Sequence, residues 1–565
     1  MSHVRTPGMA RILPLITGLA LGALALGPGL RRGFLLSYDM VFVPQPPLTA
    51  AALGVAGGPP RAVPSDAVVA VLARALPSDI VEKLVLLSIF MLACSGVAAM
   101  LRALPLPVRL AAGAFYSWNP YVAERLILGQ WALLLGYAGL PWVISAIASG
   151  TEGWRGAARL CLALVPAAIG GFAAMSVSAL VAGAAALVAP AAQRTQAQRA
   201  TATVRHGRAR TVITVALVLG ALSLPWLIPS LARPVHTSAA GVDAFASRAD
   251  TPFGSVGSLL ALGGAWNAET VPRGYGGFAA VLWLLLGVAG VFGYVAWYRR
   301  DPRWPGLGIA AIAGFLIAIV GITSVGREML RGLIGAWPGF AVLRDGQQFV
   351  APLALAEAAG VGALVARCVR ARQPFGIKDD KSSGPGRADL TAVALATAGL
   401  IVPVLLLPGL AWGAAGRLRP VQYPADWLRV RAAINAGPSA GSALLLPWGA
   451  YRRFGWNHDE AVLDPWPRLL SRTVIRSDAV QVGELVVPGE DATARRFGKL
   501  ITSQAPLAAP LRALGVRYVI VDAGLDRTSA YGGGSFRPPS GLTRRLAGAT
   551  VVLTGPDVVV YRLGG

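Results

Sequence analysis

The stretch Val81-Glu-Lys-Leu-Val-Leu-Leu-Ser-Ile-Phe-Met-Leu-Ala-Cys-Ser-Gly-Val-Ala-Ala-Met-Leu101 decides the fold, because after Lys83 no charge interrupts it until Arg102. Roughly 18 apolar residues in a helix cross a hydrocarbon layer about 30 Å thick. Runs of the same kind recur at 12–30, 107–119, 131–148, 157–172, 173–190, 211–231, 276–297, 306–325, 347–368 and 389–411. Together they predict a mainly α, polytopic transmembrane bundle of about eleven helices. With 55% hydrophobic and 14% charged residues and a mean hydropathy of +0.58, an ordinary soluble domain is excluded.

The net charge of +24 does not indicate nucleic acid, because the basic residues are spread through short loops between apolar runs. That spread reports topology. Arg5, Arg11, Arg155, Arg159, Arg194, Arg199, Arg205, Arg208, Arg299, Arg300, Arg370 and Arg372 gather on one side if 157–190 forms two helices. The positive-inside rule makes that side cytoplasmic, with the N-terminus on it and everything beyond Trp412 outside the cytoplasm. The run from Ile12 to Leu30 lacks a small-residue cleavage pattern and is expected to be the first span of a multi-pass plasma-membrane protein, not a removed signal. The segment from Gln373 to Arg387 reads as a flexible cytoplasmic linker.

From about residue 412 the pattern changes. Short β-type runs at Ser442–Leu446, Val516–Val521, Thr550–Leu553 and Val558–Tyr561 alternate with helical segments at Ala425–Ile434 and Pro506–Leu514. The expected organisation is a transmembrane domain over 1–411 and a small extracytoplasmic α/β domain over 412–565. In the first outer loop, Asp66 to Ala75 reads as a short helix, lying in the interface or simply closing a loop.

No P-loop, GxGxxG, HExxH or GxSxG motif is present, and Cys94, Cys161 and Cys368 show no CxxC spacing. His3, His206, His236 and His458 are far apart, so no histidine metal site is expected. What remains are charged residues where helices leave the membrane, a place where ionisable groups are paired or functional. Asp39 interrupts Leu36-Ser-Tyr-Asp-Met-Val-Phe-Val-Pro44 just after the first span; it is a candidate general base or an ordinary helix-ending loop Asp.

Trp118-Asn-Pro-Tyr-Val-Ala-Glu-Arg-Leu-Ile-Leu-Gly-Gln-Trp131 carries Glu124, Arg125 and Gln130. Arg125 could grip a phosphate bidentately or pair with Glu124 to hold two helices together. Arg327, Arg344 and Asp345 lie in the last outer loop; Arg344 and Asp345, being adjacent, point differently, either as phosphate and hydroxyl ligands or as interfacial anchors. Glu357 falls inside a span and is a functional or a paired carboxylate. In the tail, Trp456, His458 and Asp459 belong to a polar and aromatic cluster suited to carbohydrate or to ordinary loop packing.

In layout these residues resemble bacterial, especially actinobacterial, membrane proteins of the GT-C glycosyltransferase superfamily and its YfhO-like and arabinofuranosyltransferase-like relatives. The resemblance rests on the acid of the first outer loop (Asp39), on NPYVAERLILGQW from Asn119 to Trp131, on LRDGQQF from Leu343 to Phe349, and on LGVRYVIVD from Leu514 to Asp522. It implies transfer of a sugar from a polyprenyl-phosphate donor to a glycan or glycolipid acceptor, with Asp39 as base, Arg125 and Arg344 at the donor phosphate, Glu124, Gln130, Asp345 and Arg327 in support, and Trp456, His458 and Asp459 at the acceptor. The resemblance makes no cofactor certain. A divalent metal is raised by metal-dependent members with a paired acidic motif, whereas here Asp39 is followed by Met40 and Val41. A lipid-linked sugar transporter and a non-catalytic scaffold of envelope assembly are the other classes, the former calling for broken helix pairs or an inverted repeat.

Overall fold

The computed structural model describes residues 8–56, 58–188, 203–232, 237–299, 304–371, 387–437, 440–522 and 540–564. His3, His236, Arg194, Arg199, Arg300 and most of the linker from Gln373 lie outside these residues. Among them, seven helices are long and apolar enough to cross a membrane, or nine if each of two bent pairs is one span. The chain is thus a multi-pass membrane protein, and the described residues hold fewer such helices than the expected eleven or so.

The differences have physical causes. The run at 107–119 forms a helix of only 12 residues, Leu106–Ser117, too short to span at 1.5 Å per residue. The run at 157–190 lies in Gly153–Val188, two helices that meet at a kink where the run was divided, at Gly171, whose φ of 75° and ψ of −152° are open to glycine; together they are one of the seven. Pro305–Val320 bends by 98° into Ser324–Ala336, and Thr397–Leu406 by 73° into Pro408–Gly416.

Beyond the helices the strands are β1 (Phe34–Leu35), β2 (Pro420–Val421), β3 (Ser442–Leu446), β4 (Tyr451–Arg453), β5 (Ala461–Leu463), β6 (Val474–Ile475), β7 (Val480–Val482), β8 (Leu485–Val487), β9 (Val516–Asp522), β10 (Ala549–Thr554) and β11 (Val558–Leu563). Five of them form a sheet in the order β10-β11-β9-β3-β6, with β9, β3 and β6 parallel and the β10-β11-β9 edge antiparallel. The central β3 and β9 read as continuous apolar runs because they are buried on both faces. Helix Ala492–Thr502 covers one face with Phe497 and Ile501.

This sheet region does not stand apart from the helices. β1, at the end of the first span, pairs antiparallel with β2, Phe34 opposite Val421. Trp427, Val462, Trp466 and Ile520 share one hydrophobic cluster with Phe42, Tyr116 and Trp131. The helix predicted at 66–75 is Ser65–Leu72, and its Asp66 pairs with Arg468 at 3.0 Å.

Candidate active site

Asp39 sits on a tight turn that three elements hold. Ser37 and Met40 bridge across the turn, Tyr38 bridges to Val462 of β5, and the Asp39 amide donates to the Leu128 carbonyl at 3.2 Å. Gly129 passes so close beneath that a Cβ there would overlap the Ser37 carbonyl and the Met40 amide, and its φ is +74°. From below, the charged head of the Ser78–Met100 helix secures the approach: Glu82 accepts from the Leu35 amide at 3.0 Å and the Lys83 ammonium donates to the Gly33 carbonyl at 2.8 Å.

The Asp39 carboxylate is partly exposed and accepts from the Tyr451 hydroxyl at 2.6 Å and from Gln130. Burial of its surroundings raises its pKa above the ordinary value, while the bonds from Tyr451 and Gln130 and the charges of Arg468 and Arg61 oppose the rise. A carboxylate so perturbed, reachable and held by a phenol suits proton acceptance from a hydroxyl.

Gln130 links Asp39 to Arg125, which lies in the last turn of helix Pro120–Ile127. That helix starts as its sequence dictates: Asn119 caps it by accepting from the Val122 amide at 3.0 Å, and Pro120 occupies the first turn. Arg125 is 0% exposed and bidentate to Asp345, at 2.6 and 2.8 Å, with its Nε donating to Gln347 at 2.8 Å. Glu124 turns the other way, accepting from the Ala265 amide at 3.1 Å and leaving Oε1 without a hydrogen-bond partner. The Glu124–Arg125 pair considered from sequence is therefore not formed; the arginine pairs across to the loop before the 346–369 span.

Arg344 points away from its neighbour Asp345. It donates to Glu490 at 2.9 Å and lies over the Phe245 ring, while Glu490 also holds Arg61 at 2.5 Å. Burial alone would raise the Glu490 carboxyl, but Arg61 and Arg344 outweigh it and hold it below its usual range. Arg476 has no carboxylate partner among the described residues; its Nη1 donates to the Ser477 carbonyl at 3.4 Å, and its field reaches Tyr451 together with that of Arg61. The structure thus joins Asp39, Gln130, Arg125 and Asp345 in one hydrogen-bonded chain, with arginines 61, 468 and 476 around its open end.

The other expected residues lie elsewhere. Arg327 pairs with Asp243 at 3.1 Å, a surface pair on a different loop. Trp456 packs among Tyr423, Trp427 and Phe454, with Phe454 stacked on it, whereas His458 and Asp459 are exposed at the tip of the turn between β4 and β5. Glu357 is 0% exposed, both its oxygens lacking partners, against Gly287 of the 278–298 helix. Tyr451, Glu490, Arg61 and Arg476 were not singled out from sequence; single polar residues in otherwise unremarkable stretches, they carry no spacing signal, whereas Gln347 stood in the LRDGQQF segment without a role of its own. Among the described residues no three His, Cys, Asp or Glu side chains converge on a metal-sized site. At the open end Asp39 brings one carboxylate, held by Tyr451 and Gln130, and that donor set does not fit a divalent ion.

No protein-family signature and no curated protein matches the chain. Its fold does match solved structures. The cryo-EM structure of arabinofuranosyltransferase AftD from Mycobacteria superposes with a TM-score of 0.52 and 17% identity over 98% of this chain. A mutant form of AftD gives 0.57 and 16% identity over 99% of this chain. The chain spans about two fifths of those proteins, 40% and 42% of their lengths. ArnT from Cupriavidus metallidurans, bound to undecaprenyl phosphate, aligns over 97% of both chains at 14% identity with a TM-score of 0.37. The chain therefore shares its fold with the part of AftD that it covers.

Proposed function

We propose that this chain is a membrane glycosyltransferase that moves a sugar from a polyprenyl-phosphate donor to a glycan or glycolipid acceptor of the cell envelope. The observation that carries the reading is the partly exposed Asp39 carboxylate, bonded to Tyr451 and Gln130 and ringed by arginines, within a GT-C fold. Asp39 takes the proton of the acceptor hydroxyl as its oxygen bonds to the sugar's anomeric carbon. The bond from that carbon to the donor phosphate breaks with inversion, and polyprenyl phosphate leaves as an anion.

Departure of that anion needs fixed positive charge. Arg125 and Arg344 each already hold a carboxylate, so phosphate binding by either exchanges one anion for another. Arg476, without such a partner among the described residues, meets the phosphate first in this proposal, and Arg125 chiefly positions Gln130 and Asp345. The N-terminus is taken as cytoplasmic and the 412–565 domain as extracytoplasmic, where His458 and Asp459 face the acceptor and the domain guides it. The test is Asp39→Asn in proteoliposomes supplied with polyprenyl-phosphate sugars. Transfer is expected to fall by a factor of about 10²–10⁴ with folding intact; unchanged transfer removes Asp39 from the mechanism.

A further inference from the structure

Where the first span ends, the chain builds a cleft that the transfer chemistry does not use. Pro28, Arg31, Trp412, Leu418 and Arg419 line it, and its volume is about 570 Å³. It lies at the ends of two apolar segments, Met9–Leu30 and the bent pair closing at Gly416, and therefore at the edge of the hydrocarbon. None of its residues belongs to the hydrogen-bonded chain from Asp39 to Asp345.

Three features of the cleft point to a ligand. First, Arg31 and Arg419 are exposed and no carboxylate pairs with either among the described residues; Arg419 donates only to the Gly416 carbonyl, at 2.6 Å. Exposed Arg273, which donates to the Ala415 carbonyl at 3.2 Å, adds a third positive charge beside them. In the proposed orientation this cluster lies on the side where the positive-inside rule disfavours arginine, so topology does not explain it.

Second, Trp412 and Ala415 of the wall belong to a segment, 412–415, whose four residues are all in the left-handed helical region with φ between 51° and 71°. For residues with a Cβ this conformation is unfavourable and persists only where the surroundings enforce it. It turns the Trp412 ring outward, 62% exposed, at the level where tryptophan sits among head groups. Third, the cleft lies at the end of the first span, and further along that helix Ile12, Ile16 and Leu19 are exposed apolar side chains that an acyl chain can lie against.

We propose that this cleft is a binding site for an anionic glycerophospholipid, its phosphate on Arg31 and Arg419, its head group beside Trp412 and an acyl chain along the Met9–Leu26 helix. The site is distinct from the one that holds the sugar donor. Native mass spectrometry of the full chain in detergent tests it, with phosphatidylglycerol, phosphatidylcholine and soluble glycerol phosphate titrated in turn. Phosphatidylglycerol is expected to bind more tightly than phosphatidylcholine. The pair Arg31→Ala and Arg419→Ala should weaken it by about thirtyfold, since each basic residue near a membrane surface contributes about a factor of five. Arg31→Lys with Arg419→Lys should keep most of the binding, and Arg102→Ala, at the other end of the bundle, all of it.

Asp39→Asn should leave lipid binding unchanged, so loss of transfer and loss of this site are separately visible. Equal binding of the two lipids, or a double alanine variant that binds like the parent, overturns the proposal. Glycerol phosphate that competes as well as the intact lipid identifies a soluble-phosphate site and overturns the lipid assignment.

Discussion

Arg125 and Arg452 are both enclosed arginines that hold carboxylates, yet they belong to different kinds of structure. Arg452 is 1% exposed and lies between Asp464 and Asp522, both 0% exposed, with Asp522 also accepting from the Trp466 indole at 2.9 Å. Burial pushes the Asp522 carboxyl up to about 8 against the pull of Arg452. Everything in that cluster is shut away under the sheet. Arg125 is as buried, but its partner Asp345 is 18% exposed, and through Gln130 it reaches Asp39, which faces the open end. A closed ion cluster fixes how elements dock, whereas a network with one open end holds a reactive group in place where a substrate can meet it.

The comparison breaks most plainly on stability. Arg452→Met leaves the buried Asp464 and Asp522 side chains without the cation between them, and removing one partner of a buried pair costs about 3–5 kcal/mol. Thermal unfolding in detergent should show that loss, while Asp39→Asn should leave the unfolding midpoint near that of the parent. An Asp39→Asn variant as unstable as Arg452→Met would place Asp39 with the closed cluster.

A smaller effect sharpens the other half. Asp39 acts as a base only when ionised, and its pKa is raised, so transfer should fail as pH drops through a value above the ordinary aspartate range. Tyr451→Phe removes a hydrogen bond that favours the ionised form and should move this acidic limb still higher, with transfer at alkaline pH reduced only several-fold. A pH–rate profile for both proteins checks it; coincident acidic limbs would show that Tyr451 does not act on Asp39.

The parts of this molecule that were legible in the sequence are those governed by long or regular patterns. Apolar runs gave the membrane helices, and β3, β9, β10 and β11 all fall where short β-type runs were read. The helix count was less legible, because 107–119 looks apolar enough to span but its helix ends at Ser117, and because two pairs of helices bend sharply at short breaks, whereas the break at Gly171 falls where the run was divided from sequence. In the candidate site, Asp39, Gln130, Arg125 and Asp345 stood in motifs that could be read, and they do meet. Their partners could not be read. Tyr451 reaches Asp39 across 412 residues and Glu490 reaches Arg344 across 146, distances over which only the fold brings side chains together. Trp456 shows the converse: its composition suggested a sugar platform, but Phe454 is stacked on its ring.

The most direct measurement is an experimental structure of the full chain with polyprenyl phosphate bound. The account predicts phosphate density beside Arg476, within reach of the Asp39–Tyr451 pair and on the same side of the membrane as the tail beyond Trp412. Phosphate density only in the Arg31 and Arg419 cleft, or at the opposite end of the bundle, would contradict it.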